Sequence, residues 1–216
     1  LAVKISYINE IAALCEQVGA RVDVEAHAVG LPGREGHGRR GIVVVGAVAR
    51  VAERLGAAAD SAEFAWGTPV LPEVVEERLT KKSYKIVAMV HAETSTGVLN
   101  PAAQVGRLVR GHGALYILDT VTSLGGIEVD VDGWGVDAVY SGTQKCLSCP
   151  PGLAPVSFSA KAVEVLSHRK KKVPNWYLDM NLIAGYWGGG KRAYHHTAPI
   201  NMNYALYQAL KLVLDE

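Results

Sequence analysis

Short runs of β-branched and apolar residues alternate along this chain with stretches of helical period. Residues 86–90, 115–118 and 138–140 are three such runs, each ended abruptly by a polar cluster. The first precedes His91-Ala92-Glu93-Thr94-Ser95-Thr96-Gly97, the second Asp119-Thr120-Val121-Thr122-Ser123-Leu124-Gly125-Gly126, and the third Ser141-Gly142-Thr143-Gln144-Lys145. The stretches between them are long enough for crossover helices, so the runs read as successive parallel strands of one sheet. Ligands of such sheets bind at the carboxyl ends of the strands, where these three clusters fall.

Helical signals fill the gaps. Leu71-Pro72 begins one helix with Val75 and Leu79 on one face, and Asn100-Pro101 begins another as an N-cap followed by proline in the first turn. Val105, Leu108 and Val109 repeat at helical spacing after it. Residues 152–158 read as a strand, Ser159 can cap the helix that follows, and Met202, Leu206, Leu210 and Val213 mark a final helix. The alternation from residue 51 onward predicts an α/β fold, three layers with a mostly parallel sheet and helices on both faces.

Composition narrows the function classes. At 216 residues and 49% apolar content, the chain buries a sizeable core without disulfides and suits one domain. A formal net charge of +1 gives no electrostatic reason to expect nucleic acid or an anionic membrane as partner. The basic run His168-Arg169-Lys170-Lys171-Lys172 reads as a solvated helix end. Three cysteines, Cys15, Cys146 and Cys149, fit a reducing, intracellular compartment. The longest apolar run, 41–49, falls far short of the roughly 20 residues that span a bilayer. The chain opens at Leu1 and stops within a helical pattern at Asp215-Glu216, which predicts a fragment whose targeting signals would lie out of view.

A lysine after a strand is usually a surface residue, and an aspartate there is usually a helix cap. Lys145 and Asp119 nevertheless sit at the ends of neighbouring strand signals, among hydroxyls. A base, an acid and hydroxyls on one sheet edge suit pyridoxal 5'-phosphate, which needs a lysine for its Schiff base and an acid facing its ring nitrogen. Cys146-Leu147-Ser148-Cys149 with His195-His196 lacks a second cysteine pair, so no metal site is expected. Neither a G-x-G-x-x-G nor a Walker loop stands in the right context for nucleotide binding.

Four motifs in order, 91–97, 119–126, 141–145 with Pro150-Pro151-Gly152, and Tyr194-His195-His196-Thr197-Ala198-Pro199, resemble the class V pyridoxal-phosphate-dependent aminotransferases. Within that family they are most similar to the alanine–glyoxylate and serine–pyruvate enzymes. The resemblance covers about residues 51–216, the expected cofactor-binding large domain of a fold-type I enzyme. It implies a seven-stranded sheet and a small C-terminal domain absent here. Lys145 and Asp119 then correspond to the catalytic pair, Val121 to a valine packed on the cofactor ring, and Thr94 to a hydroxyl near the phenolic oxygen. Gln144 would bond the phosphate or ring substituents. Tyr194 and Thr197 match a motif that reaches the phosphate of a neighbouring subunit, which implies a homodimer.

The implied activity is transfer of an amine from alanine or serine to glyoxylate or pyruvate. The implied location is the peroxisome or mitochondrion in a eukaryote and the cytoplasm in a bacterium. Two other readings stay open. One is a different class V chemistry such as cysteine desulfuration, although that group usually has histidine where Gln144 stands. The other is an inactive remnant. Residues 1–50 support the latter, because no glycine-rich phosphate loop precedes Val44 and no tryptophan stands near it to stack on the ring. A frame error is one explanation, since valine codons read one base out of register can give tryptophan.

Overall fold

The computed structural model describes residues 41–44, 48, 52, 57–187 and 193–215. Six strands form one sheet: β1 (Gly41–Val44), β2 (Ala59–Ser61), β3 (Tyr84–Val90), β4 (Leu115–Asp119), β5 (Ala138–Tyr140) and β6 (Val156–Phe158), in the order β2-β1-β3-β4-β5-β6. All neighbours pair in parallel except β5 and β6, which are antiparallel. The helices are α1 (Pro72–Lys81), α2 (Ala102–Gly111), α3 (Ala160–Ser167), α4 (Met180–Trp187) and α5 (Ile200–Asp215). The sheet is thus mostly parallel, as expected, with six strands among the described residues against the seven the resemblance implies. Most of the glycine- and arginine-rich stretch 30–46 lies outside the described residues, but its segment 41–44 is a strand inside the sheet.

Strict alternation along β4 builds two cores. Leu115 and Ile117 pack with Ile86, Ala88, Ala138, Tyr140 and Val121 against Leu166 of α3 and the helical Val48 and Ala52. Tyr116 and Leu118 point the other way, with Val87, Met89 and Val139, against Val75 and Leu79 of α1 and Val105 and Val109 of α2. Burial on both faces explains why the strands read as continuous apolar runs. Asp119 continues the series of Leu115 and Ile117, so it belongs to the α3 face of the sheet.

Helix α1 starts where the Leu71-Pro72 signal places it and buries Val75 and Leu79. Ser159 caps α3 by accepting the Ala162 N–H at 3.1 Å. Asn100 departs from its expected role. Its side chain accepts Val70 N–H and donates to Val90 C=O, both at 2.8 Å, and α2 starts after Pro101 with no side-chain cap. Buried backbone groups left unpaired cost more than an uncapped helix end, so they claim the amide. The strand expected over 152–158 shrinks to β6, which begins directly after Pro155, a residue with no N–H to bring. That segment still accepts: Leu153 C=O takes Thr143 N–H at 3.3 Å and Pro155 C=O takes Ser141 N–H at 2.9 Å. The basic run after α3 is mostly exposed, in keeping with a solvated helix end. Of the apolar residues expected to anchor α5, Leu206 packs near Leu147 and Cys149, whereas Leu210 and Val213 are exposed.

Gly106 sets how closely α2 approaches the segment before β5. A Cβ there would lie 1.9 Å from the Trp134 carbonyl oxygen, whereas at Gly111 it would meet nothing within 4 Å. The two glycines therefore predict opposite outcomes. Gly106→Ala should destabilise the chain by about 1–3 kcal/mol through forced displacement. Gly111→Ala should be neutral or stabilising by up to about 1 kcal/mol through helix propensity. Urea unfolding midpoints of the two variants check both signs.

Candidate active site at the carboxyl ends of the strands

Strand register brings the three polar clusters together. Val90 is opposite Asp119, and Asp119 opposite Tyr140, so β3, β4 and β5 end level. Hydrogen bonds then tie their following loops. His91 N–H donates to Asp119 C=O at 2.8 Å and Thr120 N–H to Tyr140 C=O at 2.9 Å. Thr122 donates its hydroxyl to Ala92 C=O at 2.5 Å, joining the Asp119 loop to the loop that carries Thr94. Ser141 Oγ donates to Thr120 C=O at 3.0 Å, and Cys146 Sγ to Thr122 C=O at 3.4 Å, which fastens the Lys145 loop to the same segment.

Asp119 is held at both oxygens. Its Oδ1 accepts the Val121 N–H at 2.8 Å and its Oδ2 accepts the Tyr140 hydroxyl at 2.6 Å. Val121, two residues on, is buried against the α3-side core. Gly142 lets Gln144 and Val121 come close to the same backbone: a Cβ there would lie 2.9 Å from Gln144 Oε1 and 3.6 Å from Val121 Cγ1. Gln144 Oε1 is buried with no hydrogen-bond partner. Such an atom costs free energy unless something fills its vacancy, and it marks unspent polar capacity beside Val121.

Lys145 follows Gln144 and is half-buried. Its loop is closed by Ser148 N–H donating to Lys145 C=O and by Cys149 N–H donating to Thr143 C=O, both at 2.9 Å. The closure holds Ser148 at φ +54°, a left-handed conformation that is uncommon for a residue other than glycine. Thr94 is exposed on the loop after β3.

His91 is buried, with Nδ1 3.0 Å from Ser123 Oγ and its ring edge-on to Trp134 at 5.0 Å. These contacts fit a strand-end histidine that fastens loops. Burial pushes its basicity down, so it sits neutral. The fourth motif makes contacts within itself and with the turn at Trp176 and Tyr177. Tyr194 and Thr197 are exposed, and their hydroxyls meet each other at 2.5 Å. Buried His195 anchors that segment, its Nε2 3.1 Å from Trp176 C=O and its ring stacked on Trp176 at 4.2 Å. Its Nδ1 lies 2.7 Å from His196 Nδ1, so both imidazoles are engaged within the segment. Among the described residues, no three His, Cys, Asp or Glu side chains gather as a metal site would require. Nor is any described helix long and apolar enough to cross a membrane.

Sequence reasoning missed Tyr140. It reads there as the last apolar residue of a strand, although its hydroxyl reaches Asp119. The signal was available in principle, because equal strand ends place the residue before Ser141 opposite Asp119.

Comparison with known proteins identifies the family. The model of the family described as aminotransferase class-V matches residues 44–215. The (S)-ureidoglycine–glyoxylate transaminase of Bacillus subtilis (strain 168) is 39% identical over 184 residues, 77% of this chain and 44% of that protein. The alanine–glyoxylate aminotransferase of Oryctolagus cuniculus is 38% identical over 170 residues, 78% of this chain and 43% of that protein. The crystal structure of an alanine–glyoxylate aminotransferase from Nostoc sp. superposes with a TM-score of 0.79 at 41% identity, covering 96% of this chain and 52% of that one. This chain therefore spans about half the length of the proteins it matches, or somewhat less.

The buried, neutral His91 generates a pH dependence. Its basicity is lowered in the folded state, so protons bind the unfolded chain more readily. The stability contributed by neutral His91 is present above the unfolded histidine pKa of about 6.5 and is lost as pH falls below it. Unfolding midpoints measured from pH 7.5 down to pH 5 should fall more steeply for the native chain than for His91→Gln. Equal slopes would show that His91 contributes nothing to the acid sensitivity.

Proposed function

The chain belongs to the class-V aminotransferase family, and from that premise we propose that it forms the cofactor-binding part of a pyridoxal-phosphate-dependent transaminase. The reaction is transfer of an amine from a small amino acid, alanine or serine, to glyoxylate or pyruvate. The observation that carries this reading is the Asp119 carboxylate, held by two donors at the end of β4, with the Lys145 loop fastened beside it. Glyoxylate is favoured as acceptor because it appears in the names of all three relatives, whereas their donors differ.

The residues present fit the cofactor. Gln144 brings a buried amide oxygen without a partner, and the oxygen and nitrogen of an amide are interchangeable by a flip, so it can accept from or donate to a polar substituent. Val121 offers an apolar surface for a flat ring beside Asp119. Asp119 would hold a protonated ring nitrogen, and Thr94 and Gln144 would bond oxygen substituents. Lys145 would hold the group covalently. When bound, pyridoxal phosphate supplies an electron sink for the charge that develops at the substrate Cα. The protein's own part is to keep that sink protonated through Asp119 and to move the Cα proton on the Lys145 amine. Exposure of Tyr194 and Thr197 supports their serving a second copy of the chain across a twofold axis.

Lys145 and Asp119 should fail differently when changed in the full-length protein. Lys145→Ala should lose the borohydride-fixable bond to pyridoxal phosphate and nearly all alanine–glyoxylate exchange. Asp119→Asn should keep the covalent bond but slow the chemical step, each tenfold loss corresponding to about 1.4 kcal/mol of transition-state stabilisation. Retention of a fixable bond in Lys145→Ala, seen by mass spectrometry, would reject the assignment. A faster exchange from serine or from ureidoglycine would reassign the donor.

The shared phosphate role has its own readout. Each hydrogen bond to a charged phosphate is worth about 1.5–3 kcal/mol, so Thr197→Ala should weaken cofactor binding about tenfold or more. A mixed dimer of Thr197→Ala and Lys145→Ala subunits should keep at most one intact site. Unchanged cofactor affinity in Thr197→Ala removes this argument for a dimeric site.

A further inference from the structure

We propose that Tyr140 is a positioning residue for the acid that would face the cofactor: its hydroxyl fixes the orientation of the Asp119 carboxylate. The inference rests on the function proposed above and adds a residue to it. Asp119 and Tyr140 are cross-strand partners on β4 and β5, and the hydroxyl donates to Asp119 Oδ2 at 2.6 Å while Val121 N–H donates to Oδ1 at 2.8 Å. Two donors on two oxygens fix the carboxylate plane, because rotation about Cβ–Cγ breaks both bonds. The acid is thereby aimed before any ligand arrives, which is how a site avoids reorganisation during the reaction.

The tyrosine is itself immobile. Its side chain is 6% exposed and packs in the core formed by Ala88, Ile117 and Val121. Its backbone is gripped from both sides, by Thr120 N–H and Thr120 Oγ1 at 2.9 Å on its carbonyl and by antiparallel pairing with Val156. A phenylalanine would meet every apolar contact, so packing alone does not call for the hydroxyl. A buried hydroxyl costs free energy unless bonded, and Asp119 is the acceptor that satisfies it. Burial, and then the negative charge of Asp119, raise the phenol well above its ordinary pKa. The hydroxyl thus stays protonated, a donor throughout the range in which a transaminase works.

The test compares the native full-length protein, Tyr140→Phe, Asp119→Asn and the double variant. Three quantities are read: the dissociation constant for pyridoxal phosphate, the pH titration of the bound cofactor's visible band, and kcat separately from KM with alanine and glyoxylate. Tyr140→Phe should weaken cofactor binding about tenfold, as expected for a lost hydrogen bond to a charged group. It should also shift the band's titration and lower kcat while leaving KM for alanine unchanged. Added to Asp119→Asn, it should change little, because the two act through one contact. Tyr140→Phe indistinguishable from the native protein, or losses that simply add in the double variant, would overturn the proposal. Should Tyr140→Phe not fold, 3-fluorotyrosine in place of Tyr140 preserves the shape and strengthens the donor; an unmoved band and affinity then overturn it equally. A native protein that takes up no cofactor overturns the function as well, whereas a loaded native protein with a silent Tyr140→Phe overturns this inference alone.

Discussion

The register of three parallel strands is the constraint on which the rest of this molecule depends. Val90, Asp119 and Tyr140 lie side by side at the ends of β3, β4 and β5. Side chains alternate with a period of two, so a slip of one residue would send Asp119 to the α2 face and Tyr116 and Leu118 to the α3 face. The slip is prevented by the two cores, each of which accepts one parity of β4. Hydrophobic burial far from the polar cluster thus decides which way the acid points.

From that register, the site follows as a set of fastenings between loops. No single loop carries it. The segment after β4 is the common member: it donates through Thr122 to the loop after β3 and accepts through Thr120 and Thr122 from the loop after β5. Rigid strand ends with short polar loops offer precision where long loops would not. The one strained residue among them, Ser148, lies in the turn that closes behind Lys145. The one buried side-chain atom without a partner among the described residues, Gln144 Oε1, lies just ahead of it. Strain and unspent hydrogen-bonding capacity gather on either side of the lysine, the pattern expected of a site whose local costs are met by the surrounding fold.

Helix α5 and the segment before it tell a different story. Tyr194, Ile200, Tyr204, Tyr207 and Leu214 are exposed, and only Ala209 of the helix is buried. The apolar spacing of Met202, Leu206, Leu210 and Val213 correctly announced a helix, yet half of that row meets solvent in this chain. Periodicity reports that a helix has an apolar face; it does not report what lies against it.

Sequence alone determined the strand–helix alternation, the three polar clusters and their places after the strands, and the motifs that resemble the class-V family. Local pattern suffices for these, because β-branched runs, proline-started helices and abrupt polar boundaries are read from neighbours in the chain. Tertiary structure decided what depends on residues distant in sequence. It moved Asn100 from cap to clasp because Val70 and Val90 need its amide, and it shortened β6 because Pro155 had no N–H to give to β5. It also turned Tyr140, an apolar letter at the end of a strand, into a donor to Asp119 twenty-one residues earlier. A phenol reads as hydrophobic until its partner is known, and only the strand register supplies the partner.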